Sequence, residues 1–248
     1  MSDHQIKAEQ QPSARTIALV TGANKGIGYE IARGLGAMGM VVLVGSRDED
    51  RGKQAAEKLQ AEGIQAQALR LDVTDRGTIQ SAAKQIGAQF GRLDILINNA
   101  GVSLEDGAKP SQVDIQIVRR TYETNVFGVI AVIQAMLPLL LRSDRGRIVN
   151  VSSAVGSMTL ADNFTNLLAY NSSKTALNSV TVQFARELRS TPIKVNAANP
   201  GWCSTDMTRN QNAPRTAQQG SITPIRLATL PDDGPTGGLF GDNGPVPW

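Results

Sequence analysis

Short, uninterrupted apolar runs alternate with longer amphipathic stretches through most of this chain, and few architectures accommodate that pattern. The apolar runs fall at 16–20, 41–44, 65–71, 93–97, 147–151 and 193–197 and read as strands. Helical spacing appears between them at 27–38, 50–62, 75–89, about 111–142 and 168–189, and again at about 215–228. Asp75 stands where a helix N-cap belongs. The run at 41–44 is apolar throughout rather than alternating, as befits a strand with helices on both faces of its sheet. Parallel neighbours need a crossover, and a helix supplies it. The expected fold is α/β: a single-domain, Rossmann-type, doubly wound parallel sheet with helices on both faces. Ligands in such sheets bind beyond the carboxyl ends of the strands, and every notable motif falls at one of those ends.

The chain has 248 residues, 41% of them hydrophobic, enough for one such domain with a sizeable core. Residues 1–14 read as a disordered N-terminal tail with no signal-peptide core, and 15–248 as the domain. The formal charge is only +3 and the cations are scattered, which gives no support to nucleic-acid binding. No run approaches the ~18 unbroken apolar residues of a membrane span. Cys203 is the only cysteine and His4 the only histidine. That argues against intrachain disulfides, metal sites and Ser-His-Asp hydrolysis, and it leaves Tyr, Lys, Ser and carboxylates to do any chemistry. With no signal, the expected location is cytoplasmic.

The first strand runs into Thr21-Gly22-Ala23-Asn24-Lys25-Gly26-Ile27-Gly28, which opens the first helix. Glycines let the backbone turn tightly and approach a pyrophosphate, and the helix N-terminus offers free N–H groups to the anion. The spacing is G-x-x-x-G-x-G. At the end of the second strand an acidic residue would hydrogen-bond a ribose 2′-hydroxyl and repel a 2′-phosphate. Ser46 occupies that place, followed by Arg47; Arg51 comes one helical turn later, and Lys25 lies in the glycine turn. Three cations where a 2′-phosphate would sit point to NADP(H) rather than NAD. Asp48 lies beyond the strand and reads as a helix-start residue.

Tyr170 and Lys174 stand four apart and so share a helix face. A phenol alone titrates near ~10, and a nearby ammonium would lower that value enough to make proton transfer feasible. Such a pair is usually a half-buried Tyr and a solvated Lys. Here it follows a glycine turn and a Ser-Ser at a strand end, which favours chemistry. Ser153 closes the fifth strand, and a hydroxyl there can hydrogen-bond a carbonyl oxygen as charge develops.

With these motifs in that order the chain resembles the short-chain dehydrogenase/reductase family, most of all its NADPH-dependent carbonyl reductase branch. The resemblance runs from about residue 15 to the last residue. It rests on Thr21 to Gly28, Leu71-Asp72-Val73, Asn98-Asn99-Ala100-Gly101, Asn125, Ser152-Ser153, Tyr170 to Lys174, and Pro200-Gly201-Trp202. It implies that Asp72 and Val73 border an adenine, and that Asn98, Ala100 and Gly101 line the ribose side. It implies that residues after Pro200 and Gly201, notably Thr205, hold the nicotinamide amide and diphosphate. It favours Ser153 over Ser152 as the carbonyl-binding hydroxyl and makes Tyr170 the proton donor. Lys174 would also bind the nicotinamide ribose, and Asn125 would kink its helix and hold a water linking Lys174 to solvent. From the residues alone, Asp72 could equally cap a turn and Asn98-Asn99 could be a structural turn.

Seventeen positions separate Ser153 from Tyr170, more than is commonest in that family. The extra residues lie in the loop at 156–166, so substrate shape transfers least. The substrate loop and lid are expected near 156–169 and 203–228. Val102, Gly156, Phe164, Leu168, Trp202 and the 206–223 segment should line a mostly apolar pocket for a small-molecule ketone or aldehyde. The long insertion of the monomeric carbonyl reductases is missing, so the helices near 111–142 and 169–189 are expected to pair in a homodimer or homotetramer. Two other readings stand beside the carbonyl reductase: an acyl-carrier-linked 3-ketoacyl reductase, and a non-catalytic NADPH-binding sensor. Sensors of this kind usually lose the Tyr or the Lys, and both are present.

Overall fold

Among the described residues the strands and α-helices run β1 (Ile17–Thr21), α1 (Gly26–Ala37), β2 (Val41–Ser46), α2 (Glu49–Ala61), β3 (Ala66–Arg70), α3 (Arg76–Phe90), β4 (Ile95–Asn98), α4 (Ile115–Tyr122), α5 (Gly128–Leu140), β5 (Arg147–Val151), α6 (Leu168–Glu187), β6 (Lys194–Ala198), α7 (Ala217–Ala228), β7 (Leu239–Gly241) and β8 (Gly244–Val246). They belong to a computed structural model that describes residues 15–105, 107–163, 167–208 and 212–248. The sequence expectations for residues 1–14 and for Phe164 lie outside the described residues.

One sheet holds all the strands, in the order β3-β2-β1-β4-β5-β6-β7-β8. The chain builds outward from β1 to β3, then returns to the other side of β1 with β4, so the switch point lies between β1 and β4. Registers align the carboxyl ends: Thr21 pairs with Gly45, Asn98 with Asn150 and Val151 with Ala198. The loops that follow these ends therefore share one rim.

Strands β1, β2, β4 and β5 are buried at every position, which explains why their sequences do not alternate. Alternate residues still go to opposite faces. Leu19, Leu43, Leu96 and Ile148 join the core under α3, α5 and α6. Ala18, Val20, Val44, Ile97 and Val149 join the core under α1, α2 and α7.

Two expectations need correction. The single helix at 111–142 is instead a 3₁₀ turn (Pro110–Gln112), α4, a π turn (Glu123–Phe127) and α5. Apolar spacing carries through the π turn, so periodicity alone does not reveal the break. The stretch Ile115–Leu140 is also apolar and long enough to cross a membrane, with a mean hydropathy of 1.6 over its most apolar part. Half of that part is buried inside the fold, where Val132, Ile133 and Met136 pack into the core. Finally, the sheet is not wholly parallel. The Gly/Pro-rich end forms β7, parallel to β6, and β8, antiparallel to β7. Each has three residues, too few to show a period.

Candidate active site

The glycine turn is shaped by what lies beneath it. The Thr21 Oγ1 accepts from the backbone N–H groups of Asn99 and Ala100, both at 3.0 Å, and the Asn99 Nδ2 donates to the carbonyls of Thr21 (3.0 Å) and Gly22 (3.2 Å). Two strand-end loops are thereby bolted together. Gly22 and Gly26 sit at φ of 64° and 57°, the left-handed region that glycine enters freely. A Cβ on Gly28 would lie 2.4 Å from the Asn99 Nδ2 and 2.5 Å from the Gly22 carbonyl oxygen, so only glycine fits. The first turn of α1 has no side-chain cap, and its N–H groups remain available to an anion. A Cβ on Gly26 would be 3.7 Å from the Thr205 Cγ2, which places Thr205 beside this turn.

At the end of β2 the buried Ser46 hydroxyl donates to the Asp48 carbonyl at 2.7 Å. Asp48 caps α2 by accepting from the Arg51 N–H at 3.0 Å, so it is a helix-start residue. Its carboxylate also pairs with the Arg51 Nε at 3.3 Å, while Lys25 pairs with Asp206. The Lys25 ammonium holds the Asp206 carboxyl below the usual range, mainly through their hydrogen bond. Lys25 and Arg51 line a groove of about 370 Å³ together with Lys58, a cation the sequence reading missed. Arg47 is exposed beside it and does not line it.

Asp72 does cap a turn: its Oδ1 accepts from the Thr74 N–H (2.9 Å) and hydroxyl (2.8 Å). Val73 is buried against Gly128, where a Cβ would come within 2.7 Å of the Val73 carbonyl oxygen. The Asn98 side chain points into the sheet, donating to the Asn150 Oδ1 at 2.9 Å, and Asn150 donates on to Thr181 at 2.9 Å. Its amide therefore serves the sheet rather than the rim. Gly201, after Pro200, sits at φ 75°, and a Cβ on it would come within 2.7 Å of the Arg215 side chain.

The chemical end draws on β5, the π turn and α6. Ser152 is buried and donates to the Asn178 Oδ1 at 2.6 Å, which removes it from the crevice. Ser153 is partly exposed, and among the described residues its Oγ accepts only a long bond from the Val155 N–H at 3.3 Å, with no acceptor for its proton. Lys174 is 5% exposed. Its Nζ donates to the Val151 carbonyl at 2.9 Å and lies 5.5 Å from the centre of the Tyr170 ring. That is within cation–π range. Asn125, in the π turn, binds both backbone groups of Val102: its Oδ1 accepts from the N–H (2.8 Å) and its Nδ2 donates to the carbonyl (2.9 Å). A Cβ on Gly101 would lie 3.3 Å from the Asn125 Oδ1 and 3.7 Å from the Lys174 Nζ, so this glycine lets three elements converge.

Protein packing shifts both titrating groups towards neutrality. Burial pushes the Tyr170 phenol up to about 12 and the Lys174 ammonium down to about 8. The lowering of the phenol expected from its neighbour is thus outweighed by desolvation. Gly156 also departs from expectation: a Cβ there would sit 2.6 Å from the Lys174 carbonyl carbon. It is a close-packing point against α6, not a pocket wall. Val102 is partly buried, whereas Leu168, Met158 and Trp202 are exposed.

The chain is similar to proteins of known type. A family model described as short chain dehydrogenase matches residues 16–216. The short-chain dehydrogenase/reductase 1 of Saponaria officinalis is 36% identical over 291 aligned positions, covering 93% of this chain and 95% of the relative. The carbonyl reductase (NADPH) 1 of Mus musculus is 33% identical over 282 positions, covering 95% and 99%. Both alignments exceed 248 positions, so these relatives carry segments absent here. The crystal structure of NADPH-bound carbonyl reductase from chicken fatty liver superposes with a TM-score of 0.81 at 27% identity, covering 95% of this chain and 99% of that one. A matching model over most of the length and relatives above 30% identity agree: the chain belongs to the short-chain dehydrogenase family.

Proposed function

We propose that this chain reduces ketones and aldehydes to alcohols, reversibly, with NADPH. The observation that carries the reading is Lys174 under the Tyr170 ring beside a partly exposed Ser153, at the rim where the glycine turn opens. The turn suits a dinucleotide: Gly22 and Gly26 take left-handed φ, and the first turn of α1 is left without a side-chain cap. The uncapped turn of α1 would hold the diphosphate, with Thr205 beside it. Lys25, Arg51 and Lys58 in their groove, and Arg47 at its edge, would hold a 2′-phosphate. The cofactor, when bound, supplies the hydride.

The chain's own residues supply the rest. Ser153 donates to the carbonyl oxygen, which gains negative charge as the bond order falls. Tyr170 delivers the proton to that oxygen. A phenol held near 12 is a reluctant acid, and the Lys174 ammonium close to its ring offsets the charge left behind. The exposed apolar side chains of Met158, Leu168 and Trp202 favour apolar or amphiphilic carbonyl compounds over highly charged ones.

The test is nicotinamide oxidation against a panel of aryl ketones, α-keto esters, aldehydes and an acetoacetyl thioester, with NADPH and with NADH. Turnover of simple carbonyls, faster with NADPH, supports the reading. Turnover of the thioester alone would replace it with an acyl-carrier-linked reductase, and cofactor binding without turnover on any compound would contradict it.

A further inference from the structure

Helix α6 starts after Leu167, which has no oxygen with which to cap it. Its third N–H, that of Tyr170, falls where a capping side chain ordinarily binds. The acceptor comes instead from a distant loop: the Glu105 Oε2 takes the Tyr170 N–H at 2.8 Å. Glu105 is only 7% exposed, and its other oxygen is buried without a hydrogen-bond partner among the described residues. A half-satisfied buried carboxylate is costly, and a local Ser or Asp at 167 would cap the helix without that cost.

The remaining arm of the arrangement explains why the acceptor is worth bringing in. Three residues before Glu105, both backbone groups of Val102 are held by Asn125. The second Nδ2 hydrogen of Asn125 goes to the Ser173 Oγ at 3.0 Å, and the Ser173 hydroxyl donates to the Tyr170 carbonyl at 2.7 Å. Tyr170 is therefore gripped at both its own N–H and its own C=O, and both grips lead to the segment Val102 to Glu105. The same segment begins beside Gly101, which abuts Asn125 and Lys174.

We propose that Glu105 is a positioning residue for Tyr170, closing a hydrogen-bonded ring that indexes the phenol against Ser153 and Lys174. The proposal rests on the reading of Tyr170 as proton donor. Displacing a reacting group by about 1 Å lowers a rate by about 100-fold. Glu105→Ala is expected to lower kcat by that order while the NADPH Kd stays within about twofold, because the ring grips Tyr170 and not the glycine turn. Glu105→Gln retains an oxygen acceptor for the Tyr170 N–H and is expected to recover most of kcat.

Wild-type kcat in Glu105→Ala would overturn the proposal. So would an equal loss in Glu105→Gln, or a loss of kcat matched by equal losses in Kd and Tm, which would mark a general destabilisation. If Glu105→Ala does not fold, Glu105→Asp carries the test: it keeps the charge but falls a methylene short, and an unchanged kcat there contradicts the ring. Tyr170→Phe separates the two claims. Wild-type turnover in Tyr170→Phe removes the reading on which the proposal rests, whereas an inactive Tyr170→Phe beside a fully active Glu105→Ala removes the proposal alone.

Discussion

The glycine turn at 21–28 is held from below by Thr21 and Asn99, whereas the rim of Met158, Leu168 and Trp202 stands open, with Met158 70% and Trp202 55% exposed. At the first region the side chains serve the backbone, and the shape left over is the candidate site. At the second, apolar side chains face water, and the proposed reading has a bound substrate cover them. The difference teaches where each property resides. In the proposed reading, cofactor choice rests on rigid backbone and a few charges, and substrate choice on surfaces free to vary without touching the fold.

The sharpest way to break this contrast is Gly28→Ala. Its Cβ would press on the Asn99 amide and on the fixed Gly22 carbonyl, so stability should fall by about 1–3 kcal/mol and NADPH binding should be lost. Thermal unfolding and cofactor titration check both, and an unchanged Kd would show that the turn is not the cradle. A second prediction concerns the floor shared by the two regions. Lys174 carries its proton below about 8 and loses it above. The ammonium is the form that offsets the developing phenolate, so kcat/KM for reduction should be level below that pH and fall about tenfold per unit above it. A rate that climbs through pH 8 would contradict this assignment.

Smaller effects should separate the charges. Arg47 is exposed and makes no ion pair among the described residues, whereas Asp48 already neutralises part of Arg51. Arg47→Ala should raise the KM for NADPH about tenfold with little change for NADH, and Arg51→Ala should do less, since exposed pairs contribute little. Equal losses with both cofactors would rule out the 2′-phosphate role. The smallest effect should come from the rim: Trp202→Ala should shift the preference between bulky and small ketones by about 10-fold while NADPH affinity holds. A matching fall in NADPH affinity would show that the two regions are not separate.

The same division governs what could be read from the sequence. Strands buried on both faces announce themselves as continuous apolar runs, and the span 147–151 matches β5 residue for residue. Caps are equally local, and Asp48 and Asp75 lie where their residue types suggest. Periodicity does not mark the π turn at Glu123–Phe127; only the kink that the resemblance implies at Asn125 points to it. Strands β7 and β8 were hidden by their length. In the site, glycines and the Tyr–Lys spacing were legible, being dictated by backbone geometry four to seven residues across. Glu105 and Lys58 were not, because nothing local marks a carboxylate that caps a helix 65 residues away or a helix-surface lysine that lines a groove. Gly156 was misread for the same reason: its partner, the Lys174 backbone, is distant in the chain.

The most direct measurement is single turnover of Tyr170→Phe on the best carbonyl substrate, with the NADPH Kd determined on the same preparation. The variant keeps the ring over Lys174 and removes only the hydroxyl. The account predicts a Kd within about twofold of wild type and a hydride-transfer rate lower by about 10²–10⁴-fold. A variant that binds NADPH normally and turns over at the wild-type rate would contradict the assignment of Tyr170 as proton donor, and with it the proposed reaction mechanism.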